Sequence, residues 1–249
     1  MPHNLVTHGG SLSVADILTV LYFNQMNISA QEPKNEDRDR LVLSKGHCSP
    51  ALYATLAERG FFEKENLKTF RKIDSNLQGH PDMNKVPGVD MTSGSLGQGM
   101  SAANGMALSA KLAKKDYRVY CIVGDGEIEE GQIWEACMTS SHYKLDNLCL
   151  IVDNNNLQID GPVTDVMNIY PLKEKFQAFG FEVLEVDGNN IEELIEAFEK
   201  ARTVKQRPTV IIAKTIKGKG VSFMENNFKW HGKAPNENEY KQALSEFDI

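Results

Sequence analysis

The chain has 249 residues, 41% hydrophobic and 24% charged, a composition that supports a real core and excludes a disordered chain. Its net charge of −7 offers no basic footprint for nucleic acid. No apolar run reaches the length of a membrane span, and the N-terminus has no signal-peptide core, so no membrane role is expected.

The predicted elements alternate along the chain. "SLSVADILTVLYFNQM" (11–26) has helical apolar spacing behind a serine cap. "PKNEDRDR" (33–40) reads as a solvated charged loop, and "DRLVLSKGH" (39–47) as a short strand leading into a loop. "SPALYATLAERG" (49–60) reads as a helix with proline in its first turn and glycine past its end. The alanine-rich segment 95–115 is helical, with small residues that allow close packing. Strand "YRVYCIV" (117–123), helix 128–144, strand "NLCLIVD" (147–153) and a helix near 172–179 follow. Strand "FEVLEVD" (181–187), helix "NIEELIEAFEKART" (190–203) and strand "PTVIIAKT" (208–215) complete the series. This alternation implies βαβ units and an α/β fold, a mostly parallel sheet flanked by helices on both faces. No composition shift marks a second domain, so residues 1–249 read as one. The tail 217–240 is loop-like, and long irregular loops in compact domains are often functional. The four cysteines, Cys48, Cys121, Cys137 and Cys149, show no CxxC spacing and read as buried free thiols in a reducing, cytoplasmic setting.

Two strands end abruptly in polar residues. Asp125 follows one, in "GDGEIEEG", and Asn155 follows the next, in "NNNLQIDG". Ligands of open parallel sheets bind beyond the carboxyl ends of the strands. A carboxylate, an amide oxygen and a backbone carbonyl would converge there, a hard-oxygen set suited to Mg²⁺ or Ca²⁺. So few protein charges imply that the ion arrives with an anionic ligand, and Gly126 lets a phosphate approach the backbone. Asp-Gly and Asn-rich turns also end strands that bind nothing, so either stretch alone leaves both readings open.

From this point the residues resemble a family. "GDG" closing on paired asparagines is similar to a thiamine-diphosphate signature. "GGSLSVADIL", "LSKGHCSPALYA", "GHPDMNKVPGVDMTSGSLGQG", "GDGEIEEGQIWEA", "NNNLQIDG", "KTIKGKG" and "WHG" occur in the order of the transketolase family, over most of the chain. The resemblance implies a thiamine-diphosphate-binding fold, the domain that holds the diphosphate. It implies Mg²⁺, with Ca²⁺ or Mn²⁺ able to substitute, on Asp125, the Asn155 side chain and the Leu157 carbonyl. It places the Gly126 N–H, His47, Lys217 and His231 on the diphosphate, and Gly94, Ser95 and Leu96 along the cofactor. Leu96 and Ile159 would lie near the thiazolium, and Glu130 matches a glutamate that helps link paired active sites. His80 and His231 would face the sugar as catalytic groups.

His8 stands differently. The family's Gly-His-x-Gly-Gly-Ser reads "VTHGGS" here, so the expected Gly and His fall on Val6 and Thr7, and His8 is one place late. Either His8 acts catalytically from a shifted backbone or the contact is lost. His142 reads as structural and His3 as a terminal residue. Lys214, Lys217 and Lys219 form a basic loop whose glycines suit wrapping an anion.

The family's activating Glu belongs to a pyrimidine-binding domain, and no acid in this chain matches its motif. The resemblance therefore implies the N-terminal subunit of a split transketolase, active with a C-terminal subunit that carries that domain. An α2β2 assembly and sugar phosphate substrates are implied with it. A fragment of a longer enzyme is the alternative, as are deoxyxylulose-phosphate-synthase-like, keto-acid-dehydrogenase-like and non-catalytic subunits; "GSLGQG" with "WHG" favours transketolase. Segment 100–112 is the candidate apolar face for the partner, or ordinary core.

Overall fold

The structure, a computed structural model, describes residues 8–247. Among them the chain runs α1 (His8–Ser13), α2 (Ala15–Val20), β1 (Arg40–Leu43), α3 (Ser49–Glu58), α4 (Gln98–Leu112), β2 (Val119–Gly124) and α5 (Gly131–His142). It continues through β3 (Leu148–Asn154), α6 (Val163–Val166), α7 (Leu172–Ala178), β4 (Glu182–Asp187), α8 (Ile191–Thr203), β5 (Thr209–Lys214) and α9 (Glu237–Ser245).

β3 is buried at every position, which requires a sheet covered on both faces. The strands lie in the order β1-β2-β3-β5-β4, and every neighbouring pair is parallel. Alternate side chains divide the core. Leu41, Tyr120, Ile122, Cys149, Ile151 and Ile211 pack against α2, α3 and α8. Val42, Cys121, Val123, Leu150, Val152 and Ile212 face the other way, against α4, α5 and α7. The α/β expectation therefore holds, with helices on both faces. All four cysteines are buried and free, and among the described residues no helix is long and apolar enough to cross a membrane.

The differences from the sequence expectations have local causes. The single helix expected over 11–26 is broken. The Ser13 hydroxyl donates to the Gly10 carbonyl (3.0 Å) and to Asp153 (2.5 Å), so α1 stops there, and α2 runs on into a π turn at Leu21–Gln25. The charged loop 33–40 is not solvated throughout: Asp39 is buried, accepting from the backbone of Asn27 (2.9 Å) and Arg118 (2.7 Å). It thereby ties the start of β1 to β2. Segment 100–112 is largely core, with Met100, Ala103 and Ala107 against α5 and β2, while Leu112 is exposed.

α4 holds two glycines in opposite settings. A Cβ at Gly99 would overlap the Cα and side chain of Ser44, at the end of β1, whereas a Cβ at Gly105 meets nothing within 4 Å. Gly99→Ala should therefore lower unfolding stability by about 1–3 kcal/mol. Gly105→Ala should raise it by about 0.4–1 kcal/mol, since the helix interior gains from the lost glycine freedom. Denaturant unfolding checks both, and equal effects at the two sites would refute the close approach of α4 to β1.

Candidate cofactor site

Parallel strands bring their carboxyl ends to one edge, and there the chain turns polar. β1 leads into Ser44, Lys45, Gly46 and His47, β2 into Asp125 and Gly126, β3 into Asn155 to Leu157, and β5 into Thr215 to Lys217.

Asp153, the penultimate residue of β3, is fully buried. Its carboxylate accepts from Lys45 Nζ, Ser13 Oγ and Thr215 Oγ1. Burial pushes its pKa up, but the Lys45 ammonium and these hydrogen bonds outweigh that and hold it below the ordinary carboxylate range. Lys45, itself 3% exposed, is held protonated by the same pair.

β2 and β3 pair in register as far as Gly124 and Asp153, which brings Asp125 to the end of β3, just ahead of Asn155, and Asp125 N donates to the Asp153 carbonyl (3.2 Å). Asp125 is 3% exposed, and its carboxylate accepts from the N–H groups of Gly126 (2.8 Å) and Asn156. Burial, then the neighbouring Asp153 charge, raises its pKa from 3.8 to about 6. Asn156 has φ 58°, the left-handed conformation that asparagine tolerates, and this turns the strand end across Asp125. The Asn155 Oδ1 accepts from Leu157 N (3.1 Å), and the Leu157 carbonyl accepts from Lys217 Nζ (3.0 Å). This carbonyl already faces a positive charge.

Lys217 is 3% exposed and also lies 3.1 Å from His231 Nδ1. Burial, then repulsion from Lys45, lowers its pKa, and among the described residues it has no carboxylate partner. An ammonium that donates to Nδ1 selects the Nε2–H tautomer of His231. The His231 and His47 rings stand 5.3 Å apart. Burial and the Lys45 charge lower His47 to about 4, and burial and the Lys217 charge lower His231 to about 3, so both are neutral near neutral pH.

The loop before α4 lies on this cluster. A Cβ at Gly46 would come within 2.7 Å of Ser93 Oγ and 2.9 Å of Gly94 N, and Gly94, at φ 152°, lies against the His80 ring. Glu127 fixes the arrangement from below, accepting from Ser44 Oγ, Gly97 N (2.9 Å) and Gly124 N (3.1 Å). Burial raises its pKa. Ser95, Leu96, Glu130 and Ile159 are exposed around the rim, Leu96 by 36% and Ile159 by 65%. Gly126 lies against Gln158, and its N–H, expected on phosphate, donates to Asp125 here.

His8 does not join the cluster. It lines an apolar groove with Pro50, Tyr53 and Ala54 of α3 and Pro235 and Tyr240 near α9. Its neighbour Gly9 packs on Lys217 and accepts from Gly218 N (2.9 Å). Thr7, Val6 and His3 lie outside the described residues.

The sequence reading missed Lys45, Asp153, Glu127, Ser13 and Thr215. Lys45, Asp153 and Thr215 are signalled only as polar residues at the ends of apolar strands; Ser13, in α1, and Glu127 carry no such signal. The described residues hold no group of three or more His, Cys, Asp and Glu disposed to bind a metal. A hard cation at Asp125 would have one carboxylate, one amide oxygen and one carbonyl, and would need an anion to complete it.

The model of the transketolase thiamine diphosphate binding domain matches residues 5–248. The chain belongs to the transketolase family. It is 44% identical to one of the subunits of an apulose-4-phosphate transketolase from Phocaeicola vulgatus, over 96% of this chain and 84% of that protein. It is 45% identical to a 6-deoxy-6-sulfo-D-fructose transketolase subunit of a Clostridium species, over 96% of this chain and 87% of that one. It is 47% identical to human transketolase, over 94% of this chain but only 37% of the human protein. The solved transketolase of Leishmania mexicana superposes with a TM-score of 0.88 at 31% identity, over 97% of this chain and 40% of that one.

The raised Asp125 pKa has a sign that can be tested. A folded pKa of about 6 against 3.8 favours the fold fully below pH 4, and that contribution is lost as pH rises through 6. Asp125→Asn does not titrate. In metal-free protein, its unfolding free energy should therefore gain on the wild type by about 3 kcal/mol between pH 4 and pH 7. A difference that stays flat across this range would refute the buried, raised carboxylate.

Proposed function

We propose that this chain is the diphosphate-binding subunit of a split transketolase. With a C-terminal subunit carrying the pyrimidine-binding domain and its activating Glu, it transfers a two-carbon ketol unit from a ketose phosphate to an aldose phosphate. The two relatives named as subunits act, by their names, on apulose-4-phosphate and on 6-deoxy-6-sulfo-D-fructose, and each is matched over most of its length. Two copies of each subunit, in the cytoplasm, make up the proposed assembly, with this chain contributing a single domain.

Lys217 carries the reading. It is a buried ammonium with no carboxylate partner among the described residues, held on the His231 imidazole and the Leu157 carbonyl, with the His47 ring 5.3 Å from that of His231. One side of the site lacks an anion and the other lacks a cation. A divalent cation with a diphosphate satisfies both. Asp125, Asn155 Oδ1 and the Leu157 carbonyl would hold Mg²⁺, with Ca²⁺ or Mn²⁺ able to replace it. Lys217, His47, His231 and the Gly126 N–H would hold the diphosphate, and Gly94 to Leu96, Glu130 and Ile159 would border the rest of the cofactor.

When bound, thiamine diphosphate would supply a carbon acid that, once deprotonated, is a nucleophile for the ketose carbonyl and a carrier for the two-carbon unit. His80, with a depressed pKa, is suited to accept a proton from a sugar hydroxyl as a neutral base, and His231, its Nδ1 engaged by Lys217, to donate a hydrogen bond from Nε2–H. His8 would reach the sugar only through a change at the start of α1. Assembly with the second subunit would close the rim around Leu96 and Ile159 and shut out water.

Lys217→Ala should weaken thiamine diphosphate binding to the assembled enzyme, in saturating Mg²⁺, by about 10- to 100-fold, the worth of a charge-assisted contact. Lys219→Ala, whose ammonium is half-exposed and 3.9 Å from Glu225, should change it little. Calorimetry measures both, and wild-type affinity in Lys217→Ala would overturn the assignment. This chain by itself should show negligible ketol transfer, with activity restored by the second subunit; full turnover without it would sink the split-enzyme reading.

A further inference from the structure

Each oxygen proposed above for the divalent cation already accepts a hydrogen bond, and the donors differ in kind. The Asp125 carboxylate takes the N–H groups of Gly126 (2.8 Å) and Asn156, and Asn155 Oδ1 takes the Leu157 N–H (3.1 Å). Those donors are neutral dipoles. The Leu157 carbonyl takes a full charge, the Lys217 ammonium at 3.0 Å. A carbonyl oxygen has two lone pairs, so a second partner fits beside the first. Mg²⁺ ligates oxygen at about 2.1 Å, so a cation on this carbonyl would stand within about 5 Å of Nζ.

That ammonium has little room to withdraw. Lys217 is 3% exposed, and its stem lies under α1, where a Cβ on Gly9 would come within 3.1 Å of Cγ. Its backbone is tied down as well. The Lys217 carbonyl accepts from Asn226 N (3.0 Å), and the next N–H, of Gly218, donates to the Gly9 carbonyl (2.9 Å). The second acceptor of Nζ is His231 Nδ1 at 3.1 Å, which carries no negative charge. The other lysines nearby differ. Lys45 is neutralised by Asp153, and Lys219 is half-exposed, 3.9 Å from Glu225. Among the described residues, therefore, Lys217 is a fixed positive charge on a prospective metal ligand, with no ion pair of its own. Like charges enclosed from water repel far more strongly than at a surface.

We infer that Lys217 makes metal binding conditional on the anion: it repels a divalent cation that arrives alone and admits one only together with a diphosphate. The role rests on the cofactor reading above and adds a second function to the ammonium, which there serves the anion alone. A diphosphate oxygen on Nζ meets this charge and leaves the cation facing a negative site. By linkage, the metal raises the affinity for diphosphate by the same factor. The site thereby selects the metal–diphosphate pair over the free divalent cations that a set of hard oxygens would otherwise collect.

The direction of one substitution tests this. Lys217→Met keeps the stem and removes the charge, whereas Lys217→Arg keeps the charge. Mn²⁺ binding to the full chain without diphosphate, followed by electron paramagnetic resonance of the free ion, should tighten by about 10-fold in Lys217→Met and by less than about twofold in Lys217→Arg. Asp125→Ala in the Lys217→Met background should abolish the gain, which places it at this site. Thiamine diphosphate binding to the assembled enzyme should weaken in the same Lys217→Met variant. Cation and anion thus move in opposite directions, which poor folding does not produce. Unchanged or weaker Mn²⁺ binding in Lys217→Met, an equal gain in Lys217→Arg, or a gain that survives the loss of Asp125 overturns the inference.

A second measurement uses wild-type chain alone. Sulfate has the charge to meet Lys217 but is a poor Mn²⁺ ligand. Added at constant ionic strength, with chloride as the control, it should tighten Mn²⁺ binding by about fivefold or more. No change with sulfate overturns the inference, and this result alone decides it if Lys217→Met does not fold. If Mn²⁺ fails to bind the assembled wild-type enzyme even with thiamine diphosphate, the cofactor reading fails and the inference with it. If Mn²⁺ binds there and Lys217→Met gains nothing, the inference alone fails.

Discussion

The site depends on one buried ion pair. A carboxylate as deeply enclosed as Asp153 is tolerated only with its opposite charge and further hydrogen bonds, and removing one partner from such a pair typically costs about 3–5 kcal/mol. Its partners come from α1, from the loop after β1 and from the loop after β5. Lys45 stands just ahead of His47, Asp153 just ahead of Asn155, and Thr215 just ahead of Lys217. His47, Asn155 and Lys217 are thus each carried on a segment already tied to the same carboxylate. Groups held this way need little reordering when a ligand arrives.

Charge within the site is divided unevenly around that pair. Lys45 is neutralised by Asp153, whereas among the described residues Lys217 meets only neutral acceptors. The imidazoles of His47 and His231 stay neutral because two ammonium groups lie nearby and water is distant. Neutral imidazoles can donate to a bound oxyanion without adding charge of their own. The cluster therefore carries one buried positive group in need of an anion and one carboxylate, Asp125, in need of a cation.

Much of this could be read from residues alone, and the remainder could not for physical reasons. The strands announced themselves because parallel strands covered on both faces are apolar runs. β2 and β3 lie within one or two residues of the expected segments 117–123 and 147–153. Asp125 and Asn155 were legible because the polar ends of two neighbouring strands must share one sheet edge. Lys45 and Asp153 were not, because a charged residue after a strand looks the same in sequence whether water or an opposite charge surrounds it. Asp39 was misplaced in a solvated loop for that reason. The break between α1 and α2 escaped because apolar spacing continues through it, while the hydroxyl of Ser13 is drawn to a carboxylate far along the chain. The sequence around His8 admits two outcomes, because its place in a groove beside α3 depends on α9, which no local pattern reports.

The strand order also bears on how the molecule is made. β4 is synthesised before β5, yet among the described residues β5 is its only neighbour in the sheet, and β5 is also what covers the free side of β3. A nascent chain that has emerged through α8 thus carries one strand with no neighbour and a central strand with a bare edge, the kind of surface that invites pairing with other chains. Sheet completion waits for the last strand, and the segment that follows brings Thr215 to Asp153 and Lys217 to Leu157. Closing the sheet and delivering the lone ammonium are therefore one late event in the life of each new molecule.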